Sequence, residues 1–400
     1  MNLYRALKYR NCRLFFPGLL LSQIGIWYQN IAISWIVLGI TKSALLTGTI
    51  TFLNTLPLFV ITPIAGVITD KYDKQKLLFV IQVLFALQAL FLTIFALLGH
   101  LNLLSIVILG FLLNSIIAID TPLRQSIFAS LVDDKKDLTN AIALNSACFN
   151  AARLIGPAAA GLILYSYGAT NCFLINFILV IPAIILISML SIKAETQYSP
   201  FKEESIIEGL KTGLKYVKQN KTILNILISL IFISLIGMTY PLLLSIYTKN
   251  YLNLDSNILG LLMASTGFGA LCSSFILASK RSLKGLKNVM TLGILVFGLS
   301  FICLSFAKTQ LLAMLFSFFL GSGMTASITG INTILQSLVE DNKRGRLMSL
   351  YAICYLGSSS LSNLLAGSTS EYFGITKTFI IFGLILSTIS YIVFRKLRRL

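Results

Sequence analysis

Leu131-Val132-Asp133-Asp134-Lys135-Lys136 returns as Leu338-Val339-Glu340-Asp341-Asn342-Lys343, 207 residues further along a chain of 400. Downstream the match continues at an offset of 206, where Gly161 returns as Gly367 and Tyr167-Gly168 as Phe373-Gly374. Several matches in one order at nearly one spacing mark a duplicated unit. The chain therefore reads as two halves of like construction, 1–192 and 222–400, with 193–221 between them.

Each half holds six long apolar segments. They lie near 14–40, 46–68, 77–99, 102–130, 140–166 and 170–192, then near 222–248, 256–279, 288–307, 310–339, 346–370 and 374–394. A helix needs about 20 apolar residues to cross a hydrocarbon core, so all twelve are expected to span a membrane. With 56% hydrophobic and 12% charged residues, the chain has lipid as its solvent. The fold class expected is an all-α integral membrane protein, twelve transmembrane helices in two pseudo-symmetric six-helix halves.

A net charge of +18 on one soluble face would suggest nucleic acid, but here it is sorted by topology. The two tails and every second loop carry 27 of the 32 Lys and Arg residues, whereas the opposite loops hold only Lys42, Lys249, Lys308 and Lys377. The positive-inside rule then places both termini in the cytoplasm and excludes nucleic acid as a partner. The first apolar segment is too long for a signal sequence and lacks a small-residue cleavage pattern, so it reads as a retained helix. Six scattered cysteines and a single histidine, His100, give neither a disulfide framework nor a metal site, and no cofactor is expected. Glu203, Glu204, Glu208, Lys211, Lys215 and Lys218 fall at helical spacing in the connector, which reads as a helix lying along the membrane surface.

Gly66-Val67-Ile68-Thr69-Asp70-Lys71-Tyr72-Asp73-Lys74-Gln75-Lys76 resembles the signature after the second span of the major facilitator superfamily, departing from it at Asp73, where the pattern has Gly. Asp120-Thr121-Pro122-Leu123-Arg124-Gln125, Asn140 to Ser146 with Ile155-Gly156-Pro157, and Arg344-Gly345-Arg346-Leu347-Met348-Ser349-Leu350-Tyr351 resemble the branch holding macrolide efflux pumps and enterobactin-type siderophore exporters. The resemblance implies the major facilitator fold and a rocker-switch secondary transporter of the cell inner membrane. That protein would export a small amphipathic compound, a siderophore or drug-like metabolite, in exchange for protons, and would work as a monomer. Import of such a compound and flipping of a lysophospholipid or other lipid are the alternatives. No GxxxxGK[ST] loop binds nucleotide, so an ion gradient is the simpler energy supply. No constellation of His or carboxylates suggests an enzyme.

The resemblance also makes Gly66, Asp70 and Lys74 a gating latch at the cytoplasmic mouth, with Arg124 as a possible partner of Asp70. Gly156 and Pro157 resemble an antiporter motif, though Ala152 stands where that motif has Gly; a hinge and plain close packing are both open readings. Ionisable groups deep in a span cost roughly 2.5–3.5 kcal/mol and so usually have a function. Asp120 and Arg153 are the two residues of that kind, at depths of roughly 16 and 20 Å from the inner ends of their spans, which allows an ion pair between them. Such a pair is either a structural clamp or the proton-coupling site. The equivalent positions of the second half, near 326–327 and 359–360, are Ala or Ser, so this chemistry belongs to the first half. Polar residues at helical spacing give candidate substrate-cavity positions: Gln23, Trp27, Asn30, Asn54, Asn150, Tyr240, Thr325, Thr329, Asn332 and Tyr355, with Ser34, Ser146, Ser322, Gln336 and Asn363 beside them.

Overall fold

Apolar runs this long satisfy their backbone polar groups only by coiling on themselves, and the computed structural model, which describes residues 3–191, 206–279, 283–339 and 344–397, is helical accordingly, with no strand among them. The first half contributes α1 (Arg10–Thr41), α2 (Ala44–Lys71), α3 (Lys74–Leu97), α4 (Leu103–Ile127), α5 (Leu138–Tyr167) and α6 (Ala169–Ser188). After α7 (Ile206–Gln219) in the connector come α8 (Lys221–Gly237), α9 (Tyr240–Ile246), α10 (Ser256–Ser279), α11 (Leu283–Phe306), α12 (Gln310–Leu338), α13 (Arg344–Phe373) and α14 (Ile375–Leu397). Glu203 and Glu204 of the connector lie outside the described residues, as do the side chains of Glu208 and Lys211.

Eleven stretches among the described residues are long and apolar enough to cross a membrane. One of them joins α8, α9 and a π-helical turn at Tyr247–Tyr251 into a single run, Lys221–Tyr251. The twelfth expected span falls on α13, which has the length, 30 residues, but carries seven serines and Glu371, and so falls short in apolarity. Its serines have other uses: Ser358, Ser360, Ser362 and Ser370 are buried against neighbouring helices.

Helix starts are set by side chains that accept the orphan amides of the first turn. Asn102 and Ser105 form a reciprocal capping box at α4, and Asp73, Asn220 and Thr309 cap α3, α8 and α12. Asp73, the departure from the superfamily pattern, thus starts a helix by accepting the Lys76 amide at 2.8 Å. The repeated Gly168 and Gly374 both occupy the left-handed region, with φ of 81° and 78°, and turn the chain between α5 and α6 and between α13 and α14. A residue with a Cβ is strained there, which explains why this part of the duplication is legible.

The chain packs as two units. One comprises Met1–Lys42, Ile50–Thr196 and Asn253–Ala264; the other comprises Ser43–Thr49, Gln197–Leu252 and Ser265–Leu400. Each sequence half therefore gives the start of one helix to the other unit. Within the first unit, Gly161 of α5 meets Gly260 of α10 so closely that a Cβ at 161 would stand 2.7 Å from the Gly260 Cα. Within the second, Gly367 of α13 meets Gly48 of α2, and a Cβ at 367 would stand 2.8 Å from the Gly48 Cα. The duplicated glycine marks the same kind of crossing twice, built as small residues build contacts in lipid. Glu371 adds a tie in the second unit, accepting the Ala44 and Leu45 amides at 2.7 and 3.2 Å at the start of α2.

Interhelical polar pairs hold the first unit together. Ser22 donates to Gln82 at 2.7 Å, Asn176 donates to Gln29 at 2.8 Å, and Gln88 donates to the Leu109 carbonyl at 3.1 Å. All of these side chains are buried. Each exchange of a lipid-facing polar group for an internal hydrogen bond is worth about 0.6 kcal/mol on average in a membrane bundle.

Candidate functional site

The centre of the first unit's chemistry lies on α4. Asp120 and Arg124 are four residues apart, which puts their side chains on one face, and Arg124 Nε donates to Asp120 Oδ2 at 2.6 Å. Both are about 3% exposed. Phe15 of α1 walls the site, its ring centroid 5.9 Å from the guanidinium carbon, and Phe128 packs edge-on against Phe15.

This geometry engages only Nε of the guanidinium. Asp120 Oδ1 and Arg124 Nη1 and Nη2 are buried and have no hydrogen-bond partner among the described residues. The free Nη pair is the flat fork that matches a second carboxylate or other planar anion. Chemically, the site holds one acid that can take a proton and one permanent cation left with donors to spare.

Here the structure departs from the sequence-based pairing. Asp120 bonds to Arg124, one turn along its own helix, and not to Arg153. Arg153 of α5 is half-buried and makes no ion pair among the described residues. The expected pairing of Arg124 with Asp70 falls outside the described residues, as do the surroundings of Gly66 and the side chain of Asp70. Lys74 does reach α4, donating to the Ser126 carbonyl at 3.4 Å. Gly156 allows α5 to close on α1, since a Cβ there would stand 2.7 Å from the Trp27 Cβ, and Pro157 is buried beside it at the crossing with Gly260.

The cavity candidates separate by exposure. On α1, Gln23 and Trp27 are half-buried and Asn30 is exposed; Asn150 of α5 is half-buried. Asn54 is buried, its amide against Gly110 of α4, where it fills the space a side chain would take. Tyr240 is also buried, in the first turn of α9. Both belong to helix packing and not to an open lining.

The second unit gathers its candidates on α12 and α13. Thr329 is exposed, Thr325 and Asn332 are half-buried, and Gln336 donates its amide to Asn332 one turn away. Tyr351 lies beside Asn332 and stacks on Tyr355, with ring centroids 6.0 Å apart and planes 18° from parallel. A stacked aromatic pair beside a polar amide ladder suits flat amphipathic compounds.

One charged group escaped the sequence reading. Asp137, ahead of α5, is fully buried and accepts from Lys8 at 2.7 Å and from the Tyr9 hydroxyl at 2.8 Å, with Arg5 at 3.4 Å. The Lys8 and Tyr9 hydrogen bonds, then the charges of Lys8 and Arg5, hold its carboxyl below the usual carboxylate range. The repeat held a signal: at an offset of 207 the residue just past the matching stretch is Asp137 in the first half and Arg344 in the second, a reversal of charge.

A helical chain with eleven candidate spans among its described residues is a multi-pass membrane protein, and its family model and relatives place it among transporters of the major facilitator class. The chain belongs to the transmembrane secretion effector family, whose profile it matches over residues 5–399. It is 28% identical over 388 residues to a staphyloferrin A transporter of Staphylococcus aureus (strain NCTC 8325 / PS 47), covering 96% of both chains. It is 21% identical over 363 residues to the multidrug efflux pump Tap of Mycolicibacterium fortuitum, covering 88% of each. A crystal structure of the nucleoside transporter NupG shares the fold, with a TM-score of 0.72 at 12% identity, over 96% of this chain and 99% of that one. These relatives are transporters, not enzymes.

Proposed function

We propose that this protein exports a small amphipathic compound, a siderophore or drug-like metabolite, across the cytoplasmic membrane by proton antiport with alternating access, working as a monomer with both termini in the cytoplasm. The observation that carries the coupling is the buried Asp120–Arg124 pair, in which one acid oxygen and two guanidinium nitrogens have no partner among the described residues. While the pair is intact its charges cancel. A proton on Asp120 removes the charge that balances Arg124, which then needs a new anion, so proton uptake and a change of packing around α4 are linked. Arg153 offers a second cation in the same unit. The likeness to a staphyloferrin A transporter and to a drug efflux pump supports the cargo class, and the stacked tyrosines with Asn332 and Gln336 supply a surface of matching chemistry.

The test compares culture medium and cell extract by mass spectrometry for a strain lacking the gene, under iron limitation, complemented with wild type or with Asp120→Asn. Wild type is expected to restore to the medium a compound that the deletion strain accumulates, and Asp120→Asn is expected not to restore it although the protein reaches the membrane. Equal profiles in deletion and wild-type strains would refute export of such a compound; full restoration by Asp120→Asn would remove Asp120 from coupling.

A further inference from the structure

A crevice of about 150 Å³ opens in the second unit between α8, α11, α12 and α14. Its walls are apolar, with Met290, Ile294, Ile331 and Ile392 among them, and Asn225 and Ser229 of α8 interrupt them. Ile228, Phe232 and Ile392 form a rim 43–45% exposed, as expected of a surface that lipid covers. An apolar cavity of about this size takes up a benzene-sized apolar group.

Three cations stand at one end of it, one on each of three walls. Lys221 precedes the lining residue Thr222, Lys287 lies one turn before Met290, and Arg395 lies one turn after Ile392. Residues three apart share a helix face, so Lys287 and Arg395 continue the lined faces of α11 and α14. α8 and α11 begin at this end and α14 finishes there, so all three cationic residues lie within the terminal turns at one end of the unit. None has an acidic neighbour along its own helix, because α8, α11 and α14 contain no Asp or Glu, and none forms an ion pair among the described residues. Arg395 is exposed and lies over the Tyr391 ring at 5.5 Å, with the ring itself exposed.

We infer that this crevice holds an anionic phospholipid, one acyl chain lying between α8, α11 and α14 and the headgroup phosphate meeting Lys221, Lys287 and Arg395. Charge complementarity selects this occupant: an apolar slot ending in three cations that form no ion pair among the described residues matches a lipid with a negative headgroup and a hydrocarbon tail. A neutral lipid fills the slot without satisfying the cations. Asn225 lies one turn and Ser229 just over two turns beyond Lys221, where the ester groups of such a lipid would pass.

The experiment measures lipid retention by the purified full-length protein by native mass spectrometry, after incubation with equal amounts of phosphatidylglycerol and phosphatidylcholine of the same chains. Each cation near a membrane surface contributes about five-fold to anionic binding. Wild type is expected to retain phosphatidylglycerol over phosphatidylcholine by at least ten-fold, and Lys221→Ser/Lys287→Ser/Arg395→Ser to retain the two equally. Ser229→Trp, which fills the slot, should reduce retention of both. If the triple variant does not elute as a single species, the three single variants carry the test, each expected to cut the preference several-fold. Equal retention of the two lipids by wild type, or an undiminished preference in the cation variants, overturns the assignment.

Discussion

Removing Arg124 alone should damage the protein more than removing Arg124 and Asp120 together. At the observed 2.6 Å, with an effective dielectric of about 20, the attraction between the two charges is about 6 kcal/mol. Desolvation of each ion costs several kcal/mol, and with both residues about 3% exposed almost none of that cost is avoided, so the intact pair nets close to zero. Arg124→Gln leaves a carboxylate buried against Phe15 and should cost about 3–5 kcal/mol, and Asp120→Asn leaves a guanidinium in the same place at similar cost. In the double variant two neutral amides face each other, and the loss should fall to about 1–2 kcal/mol. Reversible unfolding in mixed micelles, read by tryptophan fluorescence, measures this directly, because both tryptophans of the chain, Trp27 and Trp35, lie on α1 in the same unit. Additive losses in the double variant, or a single Arg124→Gln cost below about 1 kcal/mol, would refute the argument that the pair is a closed, solvent-free unit.

Gly161→Ala and Gly367→Ala should each lose about 1–3 kcal/mol, since the new Cβ meets backbone at 2.6–2.7 Å or 2.6–2.8 Å, whereas Gly18→Ala, with its nearest neighbour at 3.5 Å, should be close to neutral in the same unfolding assay. Asp137 has a folded pKa below its unfolded one, so the stability it contributes is complete above roughly pH 4 and is lost as pH falls from there through the folded value. Lys8→Met removes the main cause of the depression and should flatten that acid limb in thermal unfolding followed from pH 3 to 6; an unchanged limb would mean that Asp137 does not titrate in this contact.

Helix positions were legible because hydrocarbon enforces them: an apolar run of the right length has few other structures open to it. The duplicated glycines were legible for a like reason, each occupying a site where a Cβ is excluded by backbone angle or by a neighbouring helix. α13 was the least marked span because its serines bury against protein and so lower the apolarity that a span is read from. Depth along a span places Asp120 and Arg153 at similar heights but says nothing of which way each helix face turns. That is why the partner on the same helix, four residues away, was missed. Polar residues at helical spacing carry a similar ambiguity: Asn54 and Tyr240 fill helix contacts, while Thr329 and Asn332 lie on a face with exposed neighbours. Asp137 was overlooked because a loop acid ordinarily reads as solvated, and only its burial shows otherwise.

The exchange of helix starts between the units has a consequence for biosynthesis. The first unit needs Asn253–Ala264, which leaves the ribosome 68 residues after Thr196, the end of that unit's main stretch. At ribosomal rates of about 5–20 residues per second this delay is roughly 3–14 s. During that interval the groove at Gly161, later closed by Gly260, is uncovered in the bilayer. The insertion machinery, a chaperone or lipid must shield it until α10 arrives, and a pause in translation between these points would lengthen the time in which this nascent half can pair with the wrong helix.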